Sequence, residues 1–172
     1  MNKGKTIWGA IGAMKAVVNG SEEKNVTSVT LPDVEIPTQE IKGAGIFGSF
    51  NMPMPGQINA MSASVTVRAA GAEKKNFIGS DINLEIRFAT NCRASDGSLY
   101  VAGTKIFMRC SFTKIVGGKG EVGGTRDEGF EYSVTRYREI VDGEETILVD
   151  QIAGVFKKDG VDLLADVRSV LG

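Results

Sequence analysis

The chain has 172 residues, 42% hydrophobic and 24% charged, with a formal net charge of −1. This is the composition of a globular domain with enough length to bury a core without metals or disulfides as staples. Near-neutrality argues against a dedicated nucleic-acid binder or a protein held on anionic lipid. The absence of histidine removes Ser-His-Asp and Cys-His nucleophile systems, HExxH zinc sites and imidazole acid–base work.

Lys3 and Lys5 precede an apolar patch, Ile7-Trp8-Gly9-Ala10-Ile11, in the manner of a secretory leader. Lys15 interrupts it and no small-residue cleavage site follows, so a leader is not expected. No stretch approaches the ~20 apolar residues of a membrane-spanning helix. Period-two alternation then predicts a strand over Val26–Leu31. It predicts a clearer one over Met61–Ala69, where Met61, Ala63, Val65 and Val67 alternate with Ser62, Ser64, Thr66 and Arg68. Between these strands lie all four prolines (Pro32, Pro37, Pro53, Pro55), with Gly43, Gly45, Gly48 and Gly56 and the apolar Ile41, Ile46, Phe47, Phe50, Met52 and Met54. A connection over residues 32–57 of this length and content reads as a functional loop or arm. Its apolar residues lie either against a neighbouring molecule or folded back on their own domain.

Ala72–Ile78 suits a short helix, and Ile82, Leu84, Ile86 and Phe88 form the buried face of the next strand. Ser95-Asp96-Gly97-Ser98 turns the chain into a long strand, Leu99–Val116, which is expected to bend or bulge. A two-residue Asp-Gly loop would mix apolar with polar faces. One more loop residue sets Phe88 opposite Ile106, Ile86 opposite Met108, Leu84 opposite Cys110 and Ile82 opposite Phe112, which is the predicted register. Cys92 then faces Ala102, eight residues from Cys110 and about 27 Å away at ~3.4 Å per residue, so both cysteines are expected free. Gly117–Gly124 reads as a flexible loop. Strands follow at Phe130–Val141 and Thr146–Phe156 around a type I′ Asp142-Gly143 turn, their register left open because Arg136 and Arg138 interrupt the apolar face. Gly160 precedes a C-terminal helix over 161–171, with Leu163, Leu164, Val167, Val170 and Leu171 on one side. No internal repeat or linker divides the chain, so residues 1–172 are expected to form a single domain.

Motifs with a chemical look fail in context. Gly43-Ala44-Gly45-Ile46-Phe47-Gly48 spells GxGxxG, but Pro53 and Pro55 follow where a dinucleotide fold needs a helix. Gly4-Lys5-Thr6 lacks the upstream glycine of a phosphate loop, and Gly118-Lys119 is followed by Gly120. The pairs Glu22-Glu23, Asp127-Glu128 and Glu144-Glu145 sit in polar turn-like stretches, and Asp81 and Asp96 lack EF-hand spacing. Arg126, Arg136 and Arg138, near Tyr132 and Tyr137, are interleaved with Asp127, Glu131 and Glu139 and read as a mixed-charge sheet face. No catalytic residue, metal site or cofactor is predicted.

Val29-Thr30-Leu31-Pro32, then Lys42-Gly43-Ala44-Gly45, then Gly160-Val161-Asp162 before a terminal helix, follow in an order and spacing that resembles the major tail tube proteins of contractile-tailed phages and phage-tail-like bacteriocins (tailocins). The Met-Pro-rich 51–57 segment and the glycines of 117–124 depart from that pattern. The resemblance implies a mainly β, β-sandwich or barrel-like tail tube fold with one or two short helices. It implies a homohexamer stacked helically into a tube, the inner sheets of neighbours joining into one continuous barrel. Six subunits giving four strands each, at ~4.8 Å spacing and a tilt near 45°, would make a circumference of about 160 Å and a bore on the order of 40 Å. Implied partners are other copies of the chain, the tail sheath, tape-measure, baseplate and tail-terminator proteins, and DNA in transit if the particle is a phage. Assembly is expected in the bacterial host cytoplasm, followed by residence in the virion or tailocin tail. A conduit must not grip DNA, since each neutralised phosphate adds affinity. On this reading Ser62, Ser64, Thr66 and Arg68 face the lumen, unless that strand instead faces the sheath. Ile41, Gly43, Gly45, Ile46, Phe47, Phe50, Met52 and Met54 are the candidate inter-subunit residues. A tube subunit of a type VI-like secretion apparatus and a small monomeric β-barrel binding module are the competing readings.

Overall fold

Alternation of apolar and polar residues becomes twelve strands in the computed structural model, which describes residues 5–69 and 71–172. Lys3 and Gly4, which entered the leader and phosphate-loop readings, lie outside the described residues. The strands are β1 (Ile7–Val18), β2 (Ser21–Glu23), β3 (Val26–Thr30), β4 (Thr38–Lys42), β5 (Ser49–Pro53), β6 (Met61–Arg68), β7 (Ile82–Arg93), β8 (Leu99–Val116), β9 (Asp127–Val141), β10 (Glu144–Asp150), β11 (Val155–Lys158) and β12 (Val161–Asp162). A short 3-10 helix, Ala72–Phe77, and a terminal α-helix, α1 (Ala165–Leu171), complete the elements.

Ten strands form one antiparallel sheet running β12-β11-β10-β9-β8-β7-β1-β2, and β4 and β5 form a separate hairpin. β9 is the branch point. One of its edges pairs with β8, while the other pairs with β6 from Asp127 to Val134 and with β10 from Arg136 onward. β3 then adds to the outer edge of β6. The sheet therefore splits near Thr135 and curls, sandwich-like, around one core without closing on itself. That core takes one face of each long strand: Ala16 and Val18, Met61 to Val67, Ile82 to Ile86, Ile106 to Cys110, and Phe130 to Tyr137. The 3-10 helix seals one end by burying Phe77, stacked on Phe130 with ring centroids 5.0 Å apart. Burying such a ring contributes about 1.5–3 kcal/mol.

Four expectations need correction. In the β7–β8 hairpin, Ile82 pairs with Cys110, Leu84 with Met108, Ile86 with Ile106 and Phe88 with Thr104, two residues from the predicted register. The apolar faces still match, because a two-residue slip preserves side-chain parity. The loop has the expected three residues but comprises Ser95–Gly97, closed by Ala94 N–H donating to the Ser98 carbonyl. Gly97 takes the left-handed position at φ +89° that ends such a loop, and this sets the register. Cys92 accordingly faces Tyr100, not Ala102; both cysteines are free and buried.

The predicted strand Thr146–Phe156 is two strands. The Asp150 carboxylate accepts N–H bonds from Ile152 and Ala153, both 3.0 Å, and turns the chain between β10 and β11. The C-terminal helix begins at Ala165 rather than Val161, because Val161–Asp162 pairs with β11. Arg168 and the Leu164 N–H hold the Asp162 carboxyl below its ordinary value. The arm of residues 32–57 contains the β4–β5 hairpin, and the N-terminal apolar patch belongs to the twelve-residue strand β1. Asp142 and Gly143 both have positive φ, as a type I′ turn requires, and pair Val141 with Glu144.

Candidate functional site

The polar face of β6 is a built surface. Met61, Ala63, Val65 and Val67 are buried while Ser62, Ser64, Thr66 and Arg68 point away from the core. Register extends this face across β9 and β8: Ser62 sits beside Ser133 and, beyond it, Ser111, and Ser64 beside Glu131 and Lys114. Arg68 lies opposite Asp127. Hydroxyls and opposed charges thus make a polar sheet surface with little net charge.

Further along β8 and β9, on the other halves of the same strands, three arginines border a cleft of about 250 Å³ lined by Glu85, Phe107, Arg109, Arg136 and Arg138. Arg138 bonds Glu145 at 2.6 Å with its guanidinium 6.0 Å from the Phe107 ring centroid. Arg136 lies 3.7 Å from Asp150. Carboxylates therefore answer two of the three cations, which leaves a mixed-charge face.

The arm is anchored at its base and bare at its tip. Met54 N–H donates to the Pro37 carbonyl and Asn59 N–H to that of Glu35, both 2.9 Å, and the Gln151 amide reaches the carbonyls of Ile58 and Asn59. Beyond this, β4 and β5 pair Ile41 with Phe50 and Gln39 with Met52, placing these four on one hairpin face. Gly43, Gly45 and Gly48 form the turn, with Ile46 half-buried and Phe47 entirely exposed. Phe50, Met52 and Met54 are exposed as well. The GxGxxG string is thus a hairpin turn with no helix behind it, and the apolar residues of the arm lie on and around that hairpin.

A second apolar surface, not anticipated in the sequence, lies where β1, β7 and β8 extend past the core. Ile7, Trp8, Ile11, Leu99 and Val101 are all exposed there. Ile7 pairs with Arg93, and Arg93 with Leu99, so Ile7, Leu99 and Val101 share one sheet face. The signal available was the apolar run from Ile7 to Ile11, interrupted by glycines that hide its strand period.

Among the described residues, no three His, Cys, Asp or Glu side chains are placed to hold a metal. Burial pushes the Cys110 thiol up to about 12, far from a reactive thiolate. Glu128 is buried and paired with Arg126, with Lys74 at 3.9 Å, at the start of β9 rather than in a cleft. No helix of the described residues is long and apolar enough to cross a membrane.

The profile of the family described as phage tail tube protein FII matches residues 10–172. The tail tube protein of Escherichia phage P2 is 28% identical over 167 residues, covering 92% of this chain and 94% of that protein. Among solved structures, the sheath-tube complex of an extracellular contractile injection system (PVC) in its extended state contains a similar chain. Its TM-score is 0.54 at 14% identity, over 74% of this chain and 87% of that one. A chain from the sheath/tube terminator of the same system gives 0.55 at 12% identity, over 76% and 95%.

Proposed function

The chain belongs to the phage tail tube protein FII family and is a structural tube subunit of a contractile tail, not an enzyme; from that premise we propose how its surfaces build the tube. Copies close into hexameric rings that stack helically, with the inner sheets of neighbours continuing one another as a barrel. The polar face of β6, with Ser62, Ser64, Thr66 and Arg68, lines the lumen, where hydroxyls and charges of both signs let cargo pass without holding it. Where the particle carries a genome, that cargo is DNA. The arm, with Ile41, Gly43, Gly45, Ile46, Phe47, Phe50, Met52 and Met54, contacts an adjacent copy. Sheath, tape-measure, baseplate and terminator proteins complete the tail, which assembles in the host cytoplasm before it becomes part of the released particle. Contraction of the sheath drives the tube through the target envelope.

The observation that carries this reading is the arm: a hairpin that leaves Phe47, Phe50, Met52 and Met54 in solvent has no use for them in a lone molecule. The open sheet points the same way, since exposed strand edges are hazards unless another chain satisfies them. The test is Phe47→Asp combined with Phe50→Asp, imaged by negative stain. Folded subunits that no longer form tubes are expected, whereas tubes of normal length and number would overturn the arm's role.

A further inference from the structure

We propose that the arm of one copy docks on the β1–β7–β8 tip of another, which makes that tip the arm's receiving surface. The inference rests on the reading of the arm as an inter-subunit contact and adds the surface it meets. A stack built by repeating one operation along an axis needs two different, complementary patches on each subunit, because its contacts are heterologous. Outside the core, the arm and the tip are two apolar clusters on separate parts of the fold. The arm offers Phe47, Phe50 and Met52, and the tip offers Ile7, Leu99 and Val101 on one sheet face, with Trp8 and Ile11 on the other.

Neither cluster is satisfied within its own chain. The arm springs from the segment leading into Met61, which pairs with Val134 and, through it, lies level with Cys110 of β8. Val101 is nine residues up that strand, about 30 Å away at ~3.4 Å per residue. The tip also has an unsatisfied backbone. β2 covers β1 only from Ala16 to Val18, so from Ile7 to Ala13 the outer edge of β1 is unpaired among the described residues. The five-residue strands of the arm hairpin likewise each have one free edge. Laying an arm strand along β1 would satisfy both rows of amides and carbonyls while the apolar side chains cover each other.

Charge favours the same pairing. The segment leading into the arm hairpin carries Asp33 and Glu35, while the hairpin itself carries one charge of each sign, Glu40 and Lys42. The tip is flanked by Lys5 and Arg93, with the Asp96 carboxylate, hydrogen-bonded by Ser98, in the loop beyond. An apolar hairpin with an acidic base and a basic-rimmed, apolar strand edge are complementary; two arms or two tips are not.

The test places small thiols on both surfaces, Ala10→Cys on β1 and Ser49→Cys on β5, in a background whose own Cys92 and Cys110 are buried. Treating tubes of the double variant with a short thiol-specific cross-linker should give a ladder of covalent oligomers, with none from either single variant. Tubes that form but give no ladder overturn the proposal. An independent arm uses Leu99→Asp with Val101→Asp, both exposed and free of core contacts, with folding checked by thermal melting. At least a tenfold loss of tubes from folded subunits is expected. Normal tubes from this variant, together with loss of tubes from the Phe47→Asp/Phe50→Asp chain, would overturn the tip while leaving the arm reading intact. Normal tubes from the Phe47→Asp/Phe50→Asp chain would remove the arm reading itself.

Discussion

The Tyr132 hydroxyl donates a 2.8 Å hydrogen bond to the Phe77 carbonyl, tying the middle of β9 to the last residue of the 3-10 helix across 55 positions of sequence. Both residues are buried, and Phe77 also stacks on Phe130 two residues along β9. Tyr132→Phe keeps the ring and strands the carbonyl. A loss of about 1–3 kcal/mol is expected, the cost of an unsatisfied buried acceptor, read as a lower denaturation midpoint with unchanged m-value.

Alkaline pH should weaken the fold. Burial raises the phenols of Tyr132 and Tyr137 above their ordinary 10.0 and the Cys110 thiol from 9.0 to about 12. In this direction the folded state holds protons that the unfolded chain releases. The associated stability is complete below pH 9 and falls as pH rises through 10 and beyond. Urea denaturation at pH 8 and at pH 10.5 should show the decline. Tyr132→Phe should flatten it, since that variant has one fewer titrating group; an unchanged slope would refute the assignment.

The buried Glu128 carboxylate depends on Arg126, with Lys74 at 3.9 Å as a more distant neighbour and one carboxylate oxygen without a hydrogen-bond partner. Arg126→Ala should destabilise by roughly 1–3 kcal/mol. That is less than the ~3–5 kcal/mol of a fully buried pair, because Arg126 itself is half exposed. Adding Glu128→Gln to Arg126→Ala should recover part of the loss in thermal melts, since the orphaned charge is then gone.

Gly97 holds φ +89° with nothing near the position a Cβ would occupy, so the cost of Gly97→Ala is purely conformational. About 1–2 kcal/mol is expected, and Gly97→Asn should cost less because asparagine tolerates the left-handed region. Calorimetry of the two variants should rank them in that order.

Residue order alone was enough for the features that depend on neighbours along the chain. The alternation of Met61–Arg68 declares one buried and one polar face. The type I′ turn is written in Asp142-Gly143, the free cysteines follow from strand separation, and the tail tube family is visible in Val29–Pro32, Lys42–Gly45 and Gly160–Asp162. What only the tertiary structure decided depends on distant partners. β1 went unseen because Gly9, Ala10, Gly12 and Ala13 blur its period and both of its faces are exposed near the tip. The register of β7 on β8 waited on which loop position Gly97 took, since slips by two residues leave parity, and so the hydrophobic pattern, unchanged. Val161 and Asp162 have a helical apolar pattern after them but pair with β11, because a strand partner already in place outweighs weak local preference. Side-chain period is a local property that a sequence displays directly, whereas register, branching at β9 and the distance between arm and tip are set by contacts between segments far apart in the chain.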